Sequence, residues 1–440
     1  MVRRSSRRNL YGPPVATVGA VAPGQPMPPQ AVPQVAGPSR LLRWALYGFI
    51  FSLPFDAPGR LPLELTTLTG AAFLAVTLLQ PGLCYGRRPI VFWLFFAYQY
   101  AYWTAFVFGG AQFTSDAVHS SVFYIQGLII FLACFNLMRD PRIARHVLLT
   151  LAIAVTILAV MTIFGIGKAY DTESGRLIVL GQNANRAARV LCAGLLILVG
   201  MVFGRPQPGI RPKWIAWPVA AVIGLAMILG GSRGGLVALA VGLWMFSFAG
   251  NTLGIRIRNT LVALFAIGIA AWGAWQSPVM QQRILLASQG NMAKREIIFP
   301  AAIQMFKAKP IYGWGAGNQY ALAVRLGLPP ALHQTRDTHN LFLEVLTATG
   351  LLGAIPYCTA LWLCLWAAWK ARRGFEGILP LAQMMALGVG NLTGNYIQFK
   401  LQWVLLAYAV ASWVYLTPKP LRVTAPTAAD LRRIRRGQTP

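Results

Sequence analysis

Residues 259–276 read NTLVALFAIGIAAWGAWQ, and residues 336–350 read RDTHNLFLEVLTATG. The first is an uncharged apolar run close to the length of a membrane-spanning helix, and the second opens another such run. Between them, 277–338 contains no spanning run and forms the one long hydrophilic insert in the chain.

Working outward, apolar runs approaching 20 residues recur at about 41–56, 61–80, 89–108, 117–137, 146–166, 185–203, 213–230, 234–250, 259–276, 339–370, 379–397 and 401–417. They predict an all-α integral membrane protein with about 12 transmembrane helices and the insert between the ninth and tenth. The run 339–370 is too long for one straight crossing. Gly350, Gly353 and Pro356 predict its division into a short leading helix and a full span.

The composition agrees. Hydrophobic residues make up 56% of the chain and charged residues 11%, against roughly 25% charged in soluble domains. The net charge of +28 sits in short blocks between apolar runs, which excludes a nucleic-acid-binding face. Residues 1–38 and 418–440 are predicted to be disordered basic arms flanking a transmembrane domain at 39–417. No apolar segment follows the first arginines closely enough for a cleavable signal. The five cysteines form no CxxC pair and are expected to be small packing residues.

Orientation follows from the basic connections. The N-terminal arm, 85–88, 138–146, 204–213, 251–258, 370–373 and the C-terminal tail fall on alternate loops. The excess of Lys and Arg on cytoplasmic loops then places both termini in the cytoplasm and the insert on the other side. The tail is expected to lie along anionic headgroups of the membrane lipids.

Within the insert, 279–289 and 292–308 have helical periodicity and are expected to lie on the membrane surface, with Pro300 kinking the second. The run Gly313-Trp314-Gly315-Ala316-Gly317-Asn318 predicts a tight turn. It has no βαβ context, so it is not a dinucleotide fingerprint. Gly315 is a candidate for close backbone approach to an anionic or sugar ligand. Asp337 or Thr338 is expected to N-cap a helix beginning at His339. That would place the imidazole in the first turn, where the helix N-terminus favours its neutral, basic form.

Arg186 and Arg189 are spaced to share one helix face, with Arg189 about one turn inside its span. Arg233 sits in the glycine-flanked turn 230–235 between two apolar runs. All three fall on the non-cytoplasmic side, where short loops disfavour cations and an arginine at membrane depth needs a partner. The chain holds only 11 acidic residues. A phosphate group is the natural complement, because the guanidinium fork matches its oxygens. The outer-side acids Asp116, Asp171, Glu173, Glu296, Asp337 and Glu344 form no adjacent pair, which predicts neither a metal nor another cofactor.

Taken in order, Gly181-Gln182-Asn183-Ala184-Asn185-Arg186, Gly231-Ser232-Arg233-Gly234-Gly235, Arg295 followed by Lys309-Pro310 and Gly313-Trp314-Gly315, and His339-Asn340 opening a span resemble the bacterial O-antigen ligase family, within its ligase/polymerase superfamily. The resemblance covers about 40–417. It implies a glycosyltransferase of the GT-C type acting on the periplasmic side of the inner membrane. The implied donor is polysaccharide on undecaprenyl pyrophosphate, and the implied acceptor is lipid A–core oligosaccharide. The family histidine corresponds to His339 as general base, and the family arginines to Arg186 and Arg233. Arg189, Arg295, Asn185, Asn340 and Gly315 are the further candidates for substrate contact. An O-antigen polymerase or protein O-oligosaccharyltransferase of the same superfamily fits the same residues. A lipid-linked sugar transporter is the alternative from another class, although it would want its polar residues near mid-membrane.

Overall fold

The structure is a computed structural model and describes residues 37–55, 65–109, 115–170, 177–203, 213–250, 252–290, 292, 294–328, 337–374 and 376–415. Most of both predicted arms, together with Arg336, Asp171 and Glu173, lies outside the described residues.

Among the described residues, sixteen α-helices and one strand pair follow in chain order: α1 (Arg40–Ser52), α2 (Leu65–Thr77), α3 (Pro81–Tyr85), α4 (Ile90–Gly109), α5 (Ser115–Leu137), α6 (Pro141–Phe164), β1 (Lys168–Tyr170), β2 (Leu177–Val179), α7 (Ala184–Phe203), α8 (Lys213–Leu229), α9 (Arg233–Met245), α10 (Leu253–Trp275), α11 (Pro278–Ser288), α12 (Arg295–Ala308), α13 (Asn318–Arg325), α14 (Leu341–Ala371), α15 (Leu379–Leu392) and α16 (Lys400–Tyr415). The chain is therefore helical but not purely so. β1 and β2 pair antiparallel, Lys168 opposite Val179 and Tyr170 opposite Leu177. Three-residue strands give too short an alternation to read from sequence.

Among the described residues, five helices are long and apolar enough to cross a membrane: 118–137, α6, α7, α10 and α14. Five shorter apolar helices accompany them, and the protein is a multi-pass membrane protein. Side chains along α10 show the solvent it expects: Leu261, Leu264, Phe265, Ile269 and Trp272 are all exposed, a cost in water that lipid removes.

The centre is an aromatic knot where α4, α5, α14 and α16 meet. Trp403 packs edge-on against Phe95 and Tyr124, each with ring centroids 5.1 Å away. Tyr357 lies 5.3 Å from Phe95 and 4.9 Å from Tyr98. The Trp403 indole N–H, buried in this cluster, donates to Ile397 O at 3.0 Å. A side chain at Gly127 would fall 2.2 Å from Trp403 Nε1, so only glycine admits the indole.

The predicted division of the long span occurs at Gly350, whose φ of 56° and ψ of −155° break the helical path inside α14. Those angles are essentially reserved for glycine. The break exposes two amide groups, and the insert satisfies both: Leu351 N donates to Pro310 O at 2.8 Å and Leu352 N to Ile311 O at 3.1 Å. Pro356 lies inside the following helix.

The insert is more folded than two surface helices and a turn. α12 buries Ile298, Ala302 and Met305, and α13, which periodicity did not predict, adds Leu322 to that small core. Pro300 lies within α12. α11 buries only Met280 and leaves Ile284, Leu285 and Leu286 exposed, as a helix on a lipid surface would. Cys84, Cys134, Cys192 and Cys364 are buried as expected. Cys358 is exposed, correcting its assignment to the packed interior.

Candidate functional site

His339 does not begin a helix. The N-cap of α14 is Asn340, whose side chain accepts from Phe342 N and Leu343 N at 2.9 and 3.1 Å. This corrects the expectation that Asp337 or Thr338 caps the helix and that the imidazole sits in its first turn. An Asn cap competes as well as Asp or Thr, and the residue before it is free to leave helical geometry. His339 does so, with φ of 50°, in the left-handed region that only a few non-glycine residues visit. His339 therefore lies outside the first turn of α14. Asp337 instead holds the residue twice: Oδ1 accepts from His339 N at 3.1 Å and lies 2.6 Å from Nδ1. The imidazole side chain is 40% exposed.

Glu344 holds this loop in place. It is 5% exposed. Its Oε2 accepts from Thr338 N and Oγ1 at 3.1 and 2.9 Å, and its Oε1 from Asn318 Nδ2 and Gln319 Nε2 at 2.9 and 3.3 Å. The residue before His339 is thus tied to the start of α13. Such a network is not legible from spacing, because a carboxylate one turn into an apolar helix reads equally well as a ligand group.

The arginines converge on residues 392–399 between α15 and α16, most of which the apolar run 379–397 predicts as helix. Arg189, 9% exposed, donates from Nη2 to Thr393 Oγ1 at 3.3 Å, and its guanidinium carbon lies 3.2 Å from the Tyr396 ring centroid. Arg295 Nη2 donates to Thr393 O at 2.8 Å. Arg186 lies over Phe399 at 4.7 Å. Asn340 Nδ2 donates to Leu392 O at 3.3 Å, placing the histidine loop at the same turn.

Glycines make this convergence possible. A side chain at Gly390 would meet Arg189 Nε at 3.0 Å; at Gly234, Thr393 Oγ1 at 2.9 Å; at Gly235, Ala188 Cβ at 2.5 Å. α9 therefore starts wedged between α7 and the 392–399 turn. Ser232 caps it, accepting from Gly235 N at 3.2 Å, and donates to Asn185 Oδ1 at 2.9 Å. Asn185 is thus a strut between two helix starts. Arg233 turns toward the insert and donates to Arg283 O at 2.8 Å, while Arg283 donates back to Gly231 O.

Gly315 has φ of 59° and begins a short 3-10 turn. The close approach in this motif is made by Gly313, where a side chain would meet the Ala348 backbone at 2.6 Å. Trp314 N donates to Thr347 O at 2.8 Å in the same junction. The turn thus docks the insert on α14, favouring the tight-turn reading.

Sequence reasoning missed Thr393, Tyr396, Arg283 and Lys400. Lys400 is 6% exposed and donates to Thr67 Oγ1 at 2.8 Å. The signal available was the polar run Asn391–Asn395 at the end of an apolar helix. Glu296 is exposed and accepts from Met292 N at 3.0 Å. Among the described residues, no three His, Cys, Asp or Glu side chains group closely enough to hold a metal.

A helical multi-pass membrane protein with arginines and a carboxylate-bound histidine gathered at one end of its bundle is the class that these features define. Residues 218–358 match the family described as O-antigen ligase. Over 201 residues the chain is 25% identical to an O-antigen ligase of Pseudomonas aeruginosa, covering 44% of this chain and 46% of that protein. The chain thus matches less than half the length of that relative. No solved structure matches it. Together the two matches support placement in the O-antigen ligase superfamily. The family match includes Arg233, Arg295, Gly315, His339 and Asn340, and stops before the 392–399 turn.

Proposed function

We propose that the protein is an inverting, metal-independent glycosyltransferase of the GT-C type. It moves O-antigen polysaccharide from undecaprenyl pyrophosphate to lipid A–core oligosaccharide at the periplasmic face of the inner membrane. About twelve spans carry the chain, with the insert on the periplasmic side. The observation that carries this reading is the gathering of Arg186, Arg189, Arg295, Asn340 and the start of α9 around residues 392–399. Cations at the end of an apolar bundle suit a lipid-linked diphosphate, with its charge at the surface and its prenyl chain in the bilayer.

In this mechanism Asp337 accepts a hydrogen bond from Nδ1–H of His339, so Nε2 carries the free lone pair. Nε2 takes the proton from the acceptor hydroxyl, whose oxygen bonds to the anomeric carbon. The bond from that carbon to the pyrophosphate oxygen breaks on the opposite face, and the electron pair leaves with undecaprenyl pyrophosphate. Arg186, Arg189 and Arg233 stabilise the charge that develops there. Asn185 and Arg295 hold the cationic wall in place, Asn340 anchors the histidine loop, and Gly315 lies in the turn that docks the insert on α14.

With guanidinium groups neutralising the leaving diphosphate, EDTA is expected to leave the transfer rate unchanged. Loss of transfer restored by Mg²⁺ would overturn the metal-free mechanism. The function itself is tested by comparing cells with and without the protein. Loss of polymer from lipid A–core, with full-length polymer still on the carrier, is the expected result. Shortened chains on the carrier would make it a polymerase instead.

A further inference from the structure

α7 has 20 residues and is about 30 Å long, so its last turn lies at the end of the bundle opposite Arg186 and Arg189. There a cavity of about 610 Å³ opens between the ends of α7 and α14 and the start of α10. Phe246 and Trp369 give it an apolar wall, and Arg256, Arg372 and Arg373 line it with Glu376. Two of the arginines are already held. Arg256 Nε donates to Gly250 O at 3.2 Å. Arg372 Nη1 donates to Trp369 O at 2.6 Å, with its guanidinium 3.8 Å above the Trp369 ring.

The cluster is short of negative charge. Among the described residues none of the three arginines pairs with a carboxylate within 4.0 Å. Burial, and then the neighbouring Arg373, lower the pKa of Arg372, so the cations repel one another. Burial pushes the Glu376 carboxyl up to about 7 against the pull of Arg145. α10 supplies the remaining feature: Ile255 and Arg256 near its start line the cavity, and it is the least buried of the five candidate spans among the described residues.

We propose that this cavity binds the phosphate headgroup of an anionic phospholipid, whose acyl chains lie along α10. Basic pockets between spans recognise such headgroups, and a headgroup held beside the least buried span keeps its acyl chains in the bilayer. The site is separate from the proposed transferase centre and does not rest on it.

The test uses the full chain purified in neutral detergent and titrated with dioleoylphosphatidylglycerol, with bound lipid counted by native mass spectrometry and stability followed by thermal shift. One retained lipid per chain and a raised Tm are expected, with no such effect from phosphatidylcholine of the same chains. Arg256→Gln/Arg373→Gln is expected to weaken binding by about tenfold. Arg40→Gln/Arg88→Gln, which removes the same charge from exposed basic positions outside the cavity, should leave it unchanged. Arg373→Gln alone, an exposed side chain, should weaken binding detectably and keeps the test open if the double variant does not fold. Equal binding by the cavity variants and wild type, equal binding of phosphatidylcholine, or full stabilisation by inorganic phosphate alone would each overturn the assignment.

Discussion

His339→Ala is expected to lower the transfer rate by about 10²- to 10⁴-fold, the range for loss of a positioned general base. The fold should survive. The side chain is 40% exposed, and its side-chain contact among the described residues is with Asp337. Asn340 still caps α14, and Glu344 still holds Thr338. One complication is the backbone, because a φ of 50° suits alanine poorly. His339→Asn removes it: asparagine tolerates the left-handed region and can hydrogen-bond to Asp337, yet it cannot accept the proton. Both variants should therefore insert stably and fail in an assay of polysaccharide transfer from the lipid-linked donor to lipid A–core. Wild-type transfer by either would remove His339 as the base.

Arg186→Ala and Arg233→Ala are each expected to cost about 10²- to 10³-fold in transfer, the range for loss of one donor to developing charge. Each should also weaken binding of a lipid pyrophosphate. Lysine should be a poor replacement at both positions, because a point charge does not reproduce the two-pronged guanidinium contact. The two sites separate in their structural consequences. Arg186 rests on Phe399 at 4.7 Å, against the 392–399 turn. Arg233 also holds Arg283 O at 2.8 Å, so its loss should loosen α11 and show a lower Tm. Unchanged affinity for the lipid pyrophosphate in Arg186→Ala, measured on stably folded protein, would remove that arginine from the site.

The cavity at the opposite end adds a second use of the same chemistry. At one end guanidinium groups gather round residues 392–399, and at the other they line a pocket beside an exposed apolar helix. Both ends place cations where a lipid-borne phosphate would meet them.

Local sequence alone determined the helical class, the positions of the apolar runs, the two amphipathic helices of the insert and the break at Gly350. Each depends on a hydrophobic period or on one residue's allowed angles, and both act over a few residues. The placement of charge at the ends of apolar runs marked Arg186, Arg189, Arg233 and His339, and the resemblance supplied their expected roles. Tertiary structure alone decided what these groups touch. The 392–399 turn meets Arg189 across 204 positions of chain, and Arg295 across 98. Glu344 became a strut, Asn340 displaced Asp337 and Thr338 as the cap, and three arginines far from the candidate site came to share a cavity. These outcomes rest on contacts that form only when distant helices pack, and no local period encodes them.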